Sequence, residues 1–413
     1  MKKIIALFLL CSILLLSFLA CENNTNETDN NINNDTDLML FSGGDGTETA
    51  PYKISSANDL VFLASEINAG KDYKENFFSL TCDIDLNNIE WTPIGTDTNS
   101  FEGVFDGNGF TIKNLKIASG ISYNREISDI VNRQYVSGLF GSCKNSTIKN
   151  LTIDTAEVTV RDITDSKQVY AGVLLGYMSV DTSAEISNVK ILNSKISANF
   201  NEATPQLLQI GGLVGYIYDD GNSVSHIKNI HSDVTISVED GNGRSNRIGG
   251  IAGTLATNSQ IEVSNCSSYL SVKVNSEKCY NYENYFGVFG STQAGNETFS
   301  VKNIFSNVTV NKVYDDLYGY PAYTANAIIG KAFHSKQQDG SVIGGYNLKN
   351  VFGYVEQKNE NSTETQISKQ LYEMPNHALY TETNCMGVET LPTTHGFDLD
   401  IWDISTLDKP KIK

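Results

Sequence analysis

A six-residue pattern, apolar-x-Asn-apolar-x-x, recurs along the chain and constrains its fold more than any other feature. The first copies are IKNLKI from Ile112 and IKNLTI from Ile148, and the last is LKNVFG from Leu348. Successive asparagines stand 36, 38, 41, 36, 38 and 47 residues apart and are Asn114, Asn150, Asn188, Asn229, Asn265, Asn303 and Asn350. One unit of this length cannot bury its apolar face alone, so the copies are expected to stack.

A second block, which carries glycine, lies upstream of most copies. These blocks are GLFG ending at Gly141, VLLG at Gly176, GGLVG at Gly215, GGIAG at Gly253, GVFG at Gly290 and IIG at Gly330. Glycine at a fixed place lets the backbone pass a tight, crowded face. Two blocks that recur together in six copies indicate a repeat architecture.

The phase of the hydrophobic alternation changes at each asparagine. In VKNIFSNVTV, Val301 lies on one side of an extended chain and Ile304 on the other. The apolar residues keep facing one interior only if the chain turns a corner at Asn303, and asparagine tolerates the left-handed backbone that a corner needs. Stacking then predicts two interior columns, one through Ile148, Ile186, Ile227, Val263 and Val301 and one through Leu151, Val189, Ile230, Cys266 and Ile304. A slip in the alternation near Val158 and Ile196 predicts a bulge.

These patterns predict an all-β fold, a right-handed parallel β-helix of about seven coils. An antiparallel sandwich or a propeller is less consistent with the sequence, because propeller blades carry four strands in this span and Asn-Gly hairpin turns are scarce at the required positions.

Ser56 and Asp59 predict a capping box for a short helix that ends near Gly70 and serves as an N-terminal lid. Residues 356–413 are predicted to form a small C-terminal cap, with helical pieces between Gln366 and Tyr380 and a last strand from Gly396.

The N-terminus resembles a bacterial lipoprotein signal. Lys2 and Lys3 precede an apolar run that ends at Ala20, and Cys21 follows. The resemblance implies that residues 1–20 are a signal peptide, that Cys21 is lipidated, and that a membrane is a partner through this lipid anchor. An ordinary secretory signal cleaved nearby is the alternative. Residues 21–40 are rich in Asn, Thr and Asp and predict a disordered tether, so the expected location is the bacterial cell envelope, exposed at the surface.

The two linked blocks resemble the GLUG repeats of bacterial surface proteins. The stretch from GDGTETAPYKISSANDL to FEGVFDGNGFTIKNL resembles the module that precedes such repeats. The likeness covers about residues 43–355 and divides the body into an N-terminal cap with the first coil (41–117) and repeats (118–355). Val173 and Ala327 depart from the expected glycine. Some proteins with these repeats carry a metallopeptidase domain, but the histidines here form no H-E-x-x-H motif.

Net charge and the spacing of the cysteines argue against some classes of partner and site. The chain has 30 basic and 48 acidic residues, which argues against nucleic acid as a partner. Five cysteines remain after Cys11 and Cys21 are set aside, with no C-x-x-C spacing, which disfavours a zinc site or a disulfide framework and leaves one bridge open. They are Cys82, Cys143, Cys266, Cys279 and Cys385.

Catalytic and cofactor motifs are absent from the sequence, so no catalytic residue, cofactor or metal site is predicted. Asp83 and Asp85 fall on the outer side of a strand whose interior includes Cys82. They could hold calcium with further oxygen ligands, although a solvated strand face is the simpler interpretation. His226 and His231 lack a third ligand and are expected to be exposed side chains.

Two segments between coils are rich in tyrosine and are the candidate ligand-binding residues. The first segment contains Tyr280, Tyr282 and Tyr285, and the second segment contains Tyr314, Tyr318, Tyr320 and Tyr323. Exposed rings on one edge would bind an extracellular protein or a glycan, whereas rings packed on the solenoid wall would be structural. The preferred function is surface adhesion or recognition, the alternatives being a carbohydrate-active enzyme of the lyase or hydrolase type and an envelope spacer without a ligand.

Overall fold

The structure is a computed structural model. It describes residues 41–118, 120–127, 130–161, 168–200, 207–240, 245–275, 284–295, 298–312, 323–336, 342–343, 345–359, 365–368, 380–387, 402–403 and 411–412. The predicted signal peptide, the lipidation site Cys21 and the predicted tether lie outside these residues. The boundaries assigned to them stay predictions.

Strands make up most of the described chain, and it contains one helix, α1, over Ala57–Asn68. The strands are β1 Tyr52–Ile54, β2 Phe77–Leu80, β3 Ile84–Asp85, β4 Val104–Asp106, β5 Thr111–Lys113, β6 Lys116–Ile117, β7 Ile121–Ile127, β8 Ile130–Ser137, β9 Phe140–Lys144, β10 Thr147–Asp154, β11 Glu157–Arg161, β12 Gln168–Gly172, β13 Leu175–Val180, β14 Glu185–Phe200, β15 Leu207–Gly211, β16 Val214–Asp219, β17 Ser225–Asp240, β18 Ser245–Thr257, β19 Ile261–Asn275, β20 Asn284–Ala294, β21 Thr298–Lys312, β22 Tyr323–Ala325, β23 Ile329–Lys336, β24 Val342–Ile343, β25 Gly345–Asn359, β26 Thr365–Ser368, β27 Tyr380–Gly387, β28 Trp402–Asp403 and β29 Lys411–Ile412.

Two large sheets face one another. Sheet A runs in the order β1-β2-β4-β10-β14-β17-β19-β21-β25-β26, and sheet B runs β24-β23-β20-β18-β15-β12-β8-β7. The chain visits the sheets alternately, and successive strands of each repeat pair in parallel, as β17 does with β19 and β18 with β20. The predicted all-β parallel solenoid is confirmed. Its handedness and the count of seven coils stay predictions.

The register of sheet A confirms both predicted interior columns. Ile186 pairs with Ile227 and Val263 with Val301 in the first column, and Val189 pairs with Ile230 in the second. The side chains of both columns are at most 2 % exposed. Each apolar residue is therefore covered by the same residue of the neighbouring rung, and burial of such columns is the main favourable contribution to the folding free energy.

Each predicted corner asparagine adopts a left-handed backbone. The φ angles of Asn114, Asn150, Asn188, Asn229, Asn265, Asn303 and Asn350 are 56°, 55°, 54°, 57°, 53°, 54° and 53°. The side-chain amides also bond to one another along the stack: Asn265 Nδ2 donates to Asn229 Oδ1 at 3.1 Å, and Asn303 Nδ2 donates to Asn265 Oδ1 at 2.8 Å. Asparagine thus supplies both the corner and a ladder of hydrogen bonds.

The predicted bulge is present in sheet A. The register between β14 and β17 shifts between Ile191 and Ser194, where Asn193 has a φ of 48°. Thr155 makes the equivalent turn in the preceding rung with a φ of 61°. Val158 and Ile196 then pair with each other and are both buried. The extra residue turns the apolar side chains after the bulge back toward the interior, which accounts for the slip in the sequence alternation.

Helix α1 has the predicted capping box. Ser56 Oγ accepts a hydrogen bond from Asp59 N at 3.2 Å, and Asp59 Oδ2 accepts one from Ser56 N at 3.0 Å. The helix buries Leu60, Leu63, Ala64 and Ile67. Gly70, with a φ of 91°, follows directly after the C-cap residue Ala69. The role of α1 as a lid on the solenoid stays a prediction.

The glycine blocks form a corner of sheet B that points into the solenoid. A Cβ placed on Gly212 would lie 2.4 Å from Ser232 Oγ of sheet A, and one on Gly250 would lie 1.8 Å from Ser268 Oγ. Only glycine allows the corner to approach sheet A this closely. Val173 and Ala327, which depart from the pattern, are both completely buried.

The C-terminal region departs from the sequence prediction. Residues 365–368 form strand β26, antiparallel to β25, where a helical piece was expected. Residues 369–379 and 396–401 lie outside the described residues. Strand β27 pairs in parallel with β25, and β28 pairs with β29 as an antiparallel ribbon. Strand pairing to β25 outweighs the local helical pattern here, because an unpaired edge would leave its backbone groups without partners.

Candidate functional site

The connections from sheet A to sheet B all leave from one edge of the solenoid. In sheet A the last residues of the strands stack, with Glu239 beside Asn275 and Val274 beside Lys312. In sheet B the first residues stack likewise, as Asn246 does on Asn284. The connecting segments 162–167, 201–206, 241–244, 276–283 and 313–322 lie outside the described residues, but their attachment points form one line.

The candidate tyrosines fall into three groups. Tyr280, Tyr282, Tyr314, Tyr318 and Tyr320 lie outside the described residues. The backbone of Tyr323 pairs with Asn284 in sheet B. Tyr285 lies in β20 and is 4 % exposed, with the Lys331 amine 5.8 Å from its ring centre and the Phe333 ring 6.4 Å away. Tyr285 therefore packs on the solenoid wall, and its burial does not favour a contact with a ligand.

A second group of tyrosines, which the sequence analysis did not single out, lies on the outer side of sheet B. The rings of Tyr170 and Tyr177 are stacked with centres 5.5 Å apart, and the Tyr216 ring lies 5.0 Å from Tyr170 and 5.7 Å from Tyr177. With Val136 they form a cluster separate from the main core, which holds the alternating residues Val169 and Ala171. The alternation therefore places the rings outside the solenoid.

These rings meet because the glycine corner folds the outer surface of sheet B inward. Tyr170 precedes the corner and Tyr177 follows it, and side chains on the two legs of a bend converge only on its concave side. A Cβ on Gly215 would lie 2.4 Å from Ala171 N and 2.7 Å from the carbonyl carbon of Tyr170, so the two legs nearly touch at backbone level. The result is a concave strip of sheet B that follows the stacked rungs and is filled by these rings.

We name this region the sheet-B cleft and define it by two outward columns in register. The first leg contributes Val136, Tyr170, Gln209, Arg247 and Tyr285. The second leg contributes Tyr177, Tyr216, Thr254, Ser291 and Lys331. Thr254 and Ser291 hydroxyls are 2.9 Å apart and buried, whereas Tyr216, Arg247 and Lys331 are half-buried. The cleft thus has a polar floor between aromatic ends.

The charge of the sheet-B cleft differs from that of the rest of the wall. Strands β8, β9, β12, β13, β15, β16, β18, β20 and β23 contain one acidic residue, Asp219, which pairs with the core residue Val180 and is completely buried. The outer face of sheet A carries ion pairs between rungs, including Lys228 to Glu185 at 3.1 Å and Lys302 to Glu262 at 2.9 Å.

The carboxylates predicted as possible calcium ligands are used in structural contacts. Asp83 Oδ1 accepts a hydrogen bond from Thr111 N at 2.8 Å, and Asp85 Oδ1 accepts one from Asn114 Nδ2 at 2.8 Å. Within the described ranges no three His, Cys, Asp or Glu residues are grouped so that they could hold a metal ion.

One of the two histidines that were expected to be exposed is buried. His226 is 38 % exposed at its side chain, 3.9 Å from Glu262. His231 is only 4 % exposed, and its Nδ1 lies 2.7 Å from Ser267 Oγ. The expectation for His231 was wrong because its ring packs against β19 of the next rung, with the Tyr269 ring centre 5.8 Å away.

Among the described cysteines, Cys143 and Cys266 are buried free thiols, and Cys82 and Cys385 are partly buried. Burial raises the pKa of the Cys266 thiol to about 12 and also raises the pKa of the Cys143 thiol. Both are inner-wall residues with inert, protonated sulfur. Cys82, expected in the interior, is half-buried and donates to Ser55 O at 3.2 Å. Cys279 lies outside the described residues.

No helix among the described residues has the length and apolar character that crossing a membrane requires.

Comparisons with known proteins give partial likenesses and no family. No family model matches the chain. A protein described as a Gly-rich membrane protein of Evansella cellulosilytica is 29 % identical over 157 residues, which cover 38 % of this chain and 16 % of that protein. Halomucin of Haloquadratum walsbyi is 30 % identical over 197 residues, covering 45 % of this chain and 2 % of halomucin. The chain thus spans less than a fifth of either relative.

Proposed function

We propose that the chain is a surface recognition protein of the bacterial cell envelope, held by a lipid on Cys21 and binding an extracellular protein or a glycan. The observation that carries the proposal is the register of the strand ends, which lines up the attachment points of five connecting segments along one edge of the solenoid. Loops held in a row on a rigid scaffold are a common way to build an extended binding surface.

Further support comes from the sequence and its relatives. The resemblance to GLUG repeats favours a surface protein, and so do the names of a membrane protein and of halomucin among the similar proteins. On the same grounds we propose a right-handed solenoid of seven coils, closed by α1 at one end and by residues 356–413 at the other, because open ends would expose strand edges and core.

The anchor is tested by fatty-acid labelling of cells that produce the full chain. The wild-type protein is expected to incorporate labelled palmitate and to be cut by protease added outside the cell. The Cys21→Ser variant is expected to incorporate none. Labelling that persists in Cys21→Ser would contradict the anchor.

Recognition is tested with a glycan and extracellular-matrix array and the soluble chain from residue 22. A second protein carries Tyr280, Tyr282, Tyr314 and Tyr318 changed to Ala, with circular dichroism as the control for folding. Binding that is lost in this variant supports recognition through the connecting segments. Binding together with release of soluble sugars would instead support a carbohydrate-active enzyme. The complete absence of binding would support an envelope spacer.

A further inference from the structure

We propose that an open cavity beside the end of helix α1 is a binding site for the neutral sugar residue at the end of a glycan chain. The inference rests on the proposed recognition function and names its ligand class. We call this cavity the α1 pocket. It has a volume of about 340 Å³ and is lined by Ile67, residues 70–74, residues 98–100 and Glu102. Small-molecule sites span about 300–1,000 Å³, so the α1 pocket suits the end of a glycan and not an extended chain.

The α1 pocket forms where three segments meet at the β1 end of sheet A. Residues 70–74 follow α1 and lead into β2, whereas residues 98–102 lead into β4, the parallel partner of β2. Glu75 N donates a hydrogen bond to Glu102 O at 3.3 Å, so the two segments are joined just before their strands begin. The pairing of β2 with β4 therefore holds two walls of the pocket in place.

Side-chain hydrogen bonds attach the wall of residues 98–100 to the end of α1. Asn99 Nδ2 donates to Asn68 O at 3.0 Å, and Asn68 Nδ2 donates to Pro93 O at 3.0 Å. Gly95 N donates to Asn68 Oδ1 at 2.8 Å. The pocket is thus formed before a ligand arrives, which lowers the entropic cost of binding.

The rim of the α1 pocket has hydrogen-bonding groups that the fold does not use. Lys74 is exposed and Glu102 is half-buried. Among the described residues, the Lys74 amine and the Glu102 carboxylate take part in no side-chain hydrogen bond and no close ion pair. Asp72 accepts a hydrogen bond from Lys74 N at 2.8 Å with Oδ1 alone. A ligand can therefore bond to these donors and acceptors without breaking a contact of the folded chain.

The charge of the lining favours a neutral ligand. Two ammonium groups, of Lys71 and Lys74, stand with two carboxylates, of Asp72 and Glu102, so the formal charges sum to zero. Such a lining does not attract an ion of either sign over a distance. A sugar fits because each of its hydroxyl groups both donates and accepts hydrogen bonds, and the pocket offers both kinds of partner.

Exposure of the lining argues against an apolar ligand. The apolar side chains Ile67 and Tyr73 are only 2 % and 6 % exposed, whereas residues 70–72, Lys74 and Thr98 are exposed. An apolar molecule would cover the polar groups without replacing their hydrogen bonds to water, which costs free energy.

The α1 pocket lies near the point at which the predicted tether joins the body. The ring centre of Phe41 lies 6.0 Å from that of Tyr73, a lining residue. With a lipid on Cys21, as proposed, the 20 residues from there to Phe41 reach at most roughly 70 Å. The pocket can then meet sugars of the cell's own envelope as well as sugars of foreign surfaces. Both sources present the same chemistry, a neutral sugar terminus.

The test compares two variants of the pocket with matched controls. Lys74→Met with Glu102→Gln removes the unused charged groups. Lys195→Met with Glu157→Gln removes the same two residue types from an exposed ion pair of sheet A, whose atoms are 2.7 Å apart, and is its control. Thr98→Trp fills the pocket from an exposed position of the lining.

All proteins are made as the full chain with Cys21→Ser, and Thr235→Trp on the exposed side of sheet A is the control for an added ring. The probes are the neutral disaccharides diacetylchitobiose, maltose and lactose, the anion galacturonate and the zwitterion glycylglycine. Binding is measured by calorimetry and saturation-transfer NMR, and melting temperatures are compared throughout. Isolated envelopes of the producing cells and matrix-coated surfaces distinguish the two sources.

The wild-type chain and both controls are expected to bind at least one neutral disaccharide, and to bind galacturonate and glycylglycine more weakly. Lys74→Met with Glu102→Gln is expected to weaken binding about tenfold or more, since each net hydrogen bond contributes a factor of roughly 2–10. Thr98→Trp is expected to abolish binding with an unchanged melting temperature. Its loss of binding to envelopes would identify the cell's own glycans as the source, and its loss of binding to matrix would identify foreign ones.

Several outcomes would overturn the inference. These are no binding of any neutral disaccharide, equal binding by the wild-type chain and both pocket variants, and tighter binding of glycylglycine than of the sugars. The proposed function is separable from the α1 pocket. If the chain binds on the array and only the variant in the four tyrosines of the connecting segments loses binding, the proposed function stands and the pocket inference fails. If disaccharide binding depends on the pocket but Cys21→Ser still incorporates palmitate, the pocket stands and the anchor fails.

Discussion

The hydroxyl of Ser232 donates a hydrogen bond to the carbonyl oxygen of Gly250 at 2.6 Å and joins the inner face of sheet A to the corner of sheet B. Ser268, the neighbour of Ser232 in the next rung, occupies the space in which a Cβ of Gly250 would lie. Small residues on both sheets therefore determine how closely the corner of sheet B approaches sheet A. The corner in turn gives the sheet-B cleft its concave shape.

Replacing Gly250 by Ala tests this contact. The new Cβ would overlap Ser268 Oγ at 1.8 Å, so we expect a loss of about 1–3 kcal/mol of stability from overpacking. Gly250→Ala combined with Ser268→Gly should recover part of the loss, because the overlapping group is gone. The measurement is urea unfolding followed by circular dichroism. An unchanged midpoint for Gly250→Ala alone would contradict the close approach of the two sheets.

The corner asparagines should contribute through both backbone and side chain. Asn265→Ala puts alanine at a φ of 53°, where a residue other than glycine is strained and alanine has no side-chain hydrogen bond to offset the strain. The substitution also removes two hydrogen bonds of the asparagine ladder. We therefore expect the free energy of unfolding to fall by about 1–3 kcal/mol. Asn265→Gly retains the left-handed backbone and loses only the ladder. Its loss in urea unfolding should be smaller than that of the alanine variant. The reverse order would refute the role given to the corner.

The stacking register predicts which distant residues can be crosslinked. Thr235 and Ser271 are partners in neighbouring rungs and both lie on the outer side of sheet A. Thr235→Cys with Ser271→Cys should form a disulfide under mild oxidation, since paired strands lie ~4.8 Å apart. The control pair, Thr235→Cys with Lys273→Cys, is displaced by two residues and should crosslink far less. Mass spectrometry of peptides under non-reducing conditions separates the two results, and equal crosslinking would argue against a fixed register.

Thiol reactivity should divide the cysteines by burial. Because burial raises the pKa of Cys266 to about 12 and also raises that of Cys143, both stay protonated and shielded at pH 8. Cys82 and Cys385 are only partly buried and should be alkylated first by iodoacetamide in the native protein. Labelling is quantified by mass spectrometry, with the urea-denatured chain as the control in which Cys143 and Cys266 also react. Rapid native labelling of Cys266 would show that its column is not interior.

The sequence predicted those features that depend on local chemistry repeated at a fixed period. Asn265 marks a corner because its residue type tolerates the left-handed backbone, and Ile186 and Ile227 mark an interior column because each repeat shows the same alternation. Ser56 and Asp59 marked the start of α1 by the same kind of local signal.

The sequence did not reveal features that depend on the meeting of distant segments. Tyr170 and Tyr216 come together only because the glycine corner points inward, and alternation alone does not give the direction of a corner. The direction could have been suspected from glycine at Gly212 and Gly250 opposite serine at Ser232. The burial of His231 comes with its contacts to Ser267 and Tyr269 of the next rung, so no pattern near His231 indicates it.

The central claim is that the solenoid acts as a recognition protein at the cell surface, and adhesion of intact cells tests it most directly. Cells producing the wild-type chain or the Cys21→Ser variant are applied to surfaces coated with the ligands of the glycan and extracellular-matrix array, at matched protein levels. We predict that wild-type cells adhere, that Cys21→Ser cells adhere much less, and that added soluble chain competes for the surface. Equal adhesion of both cell types, or no effect of the soluble chain, would contradict the account.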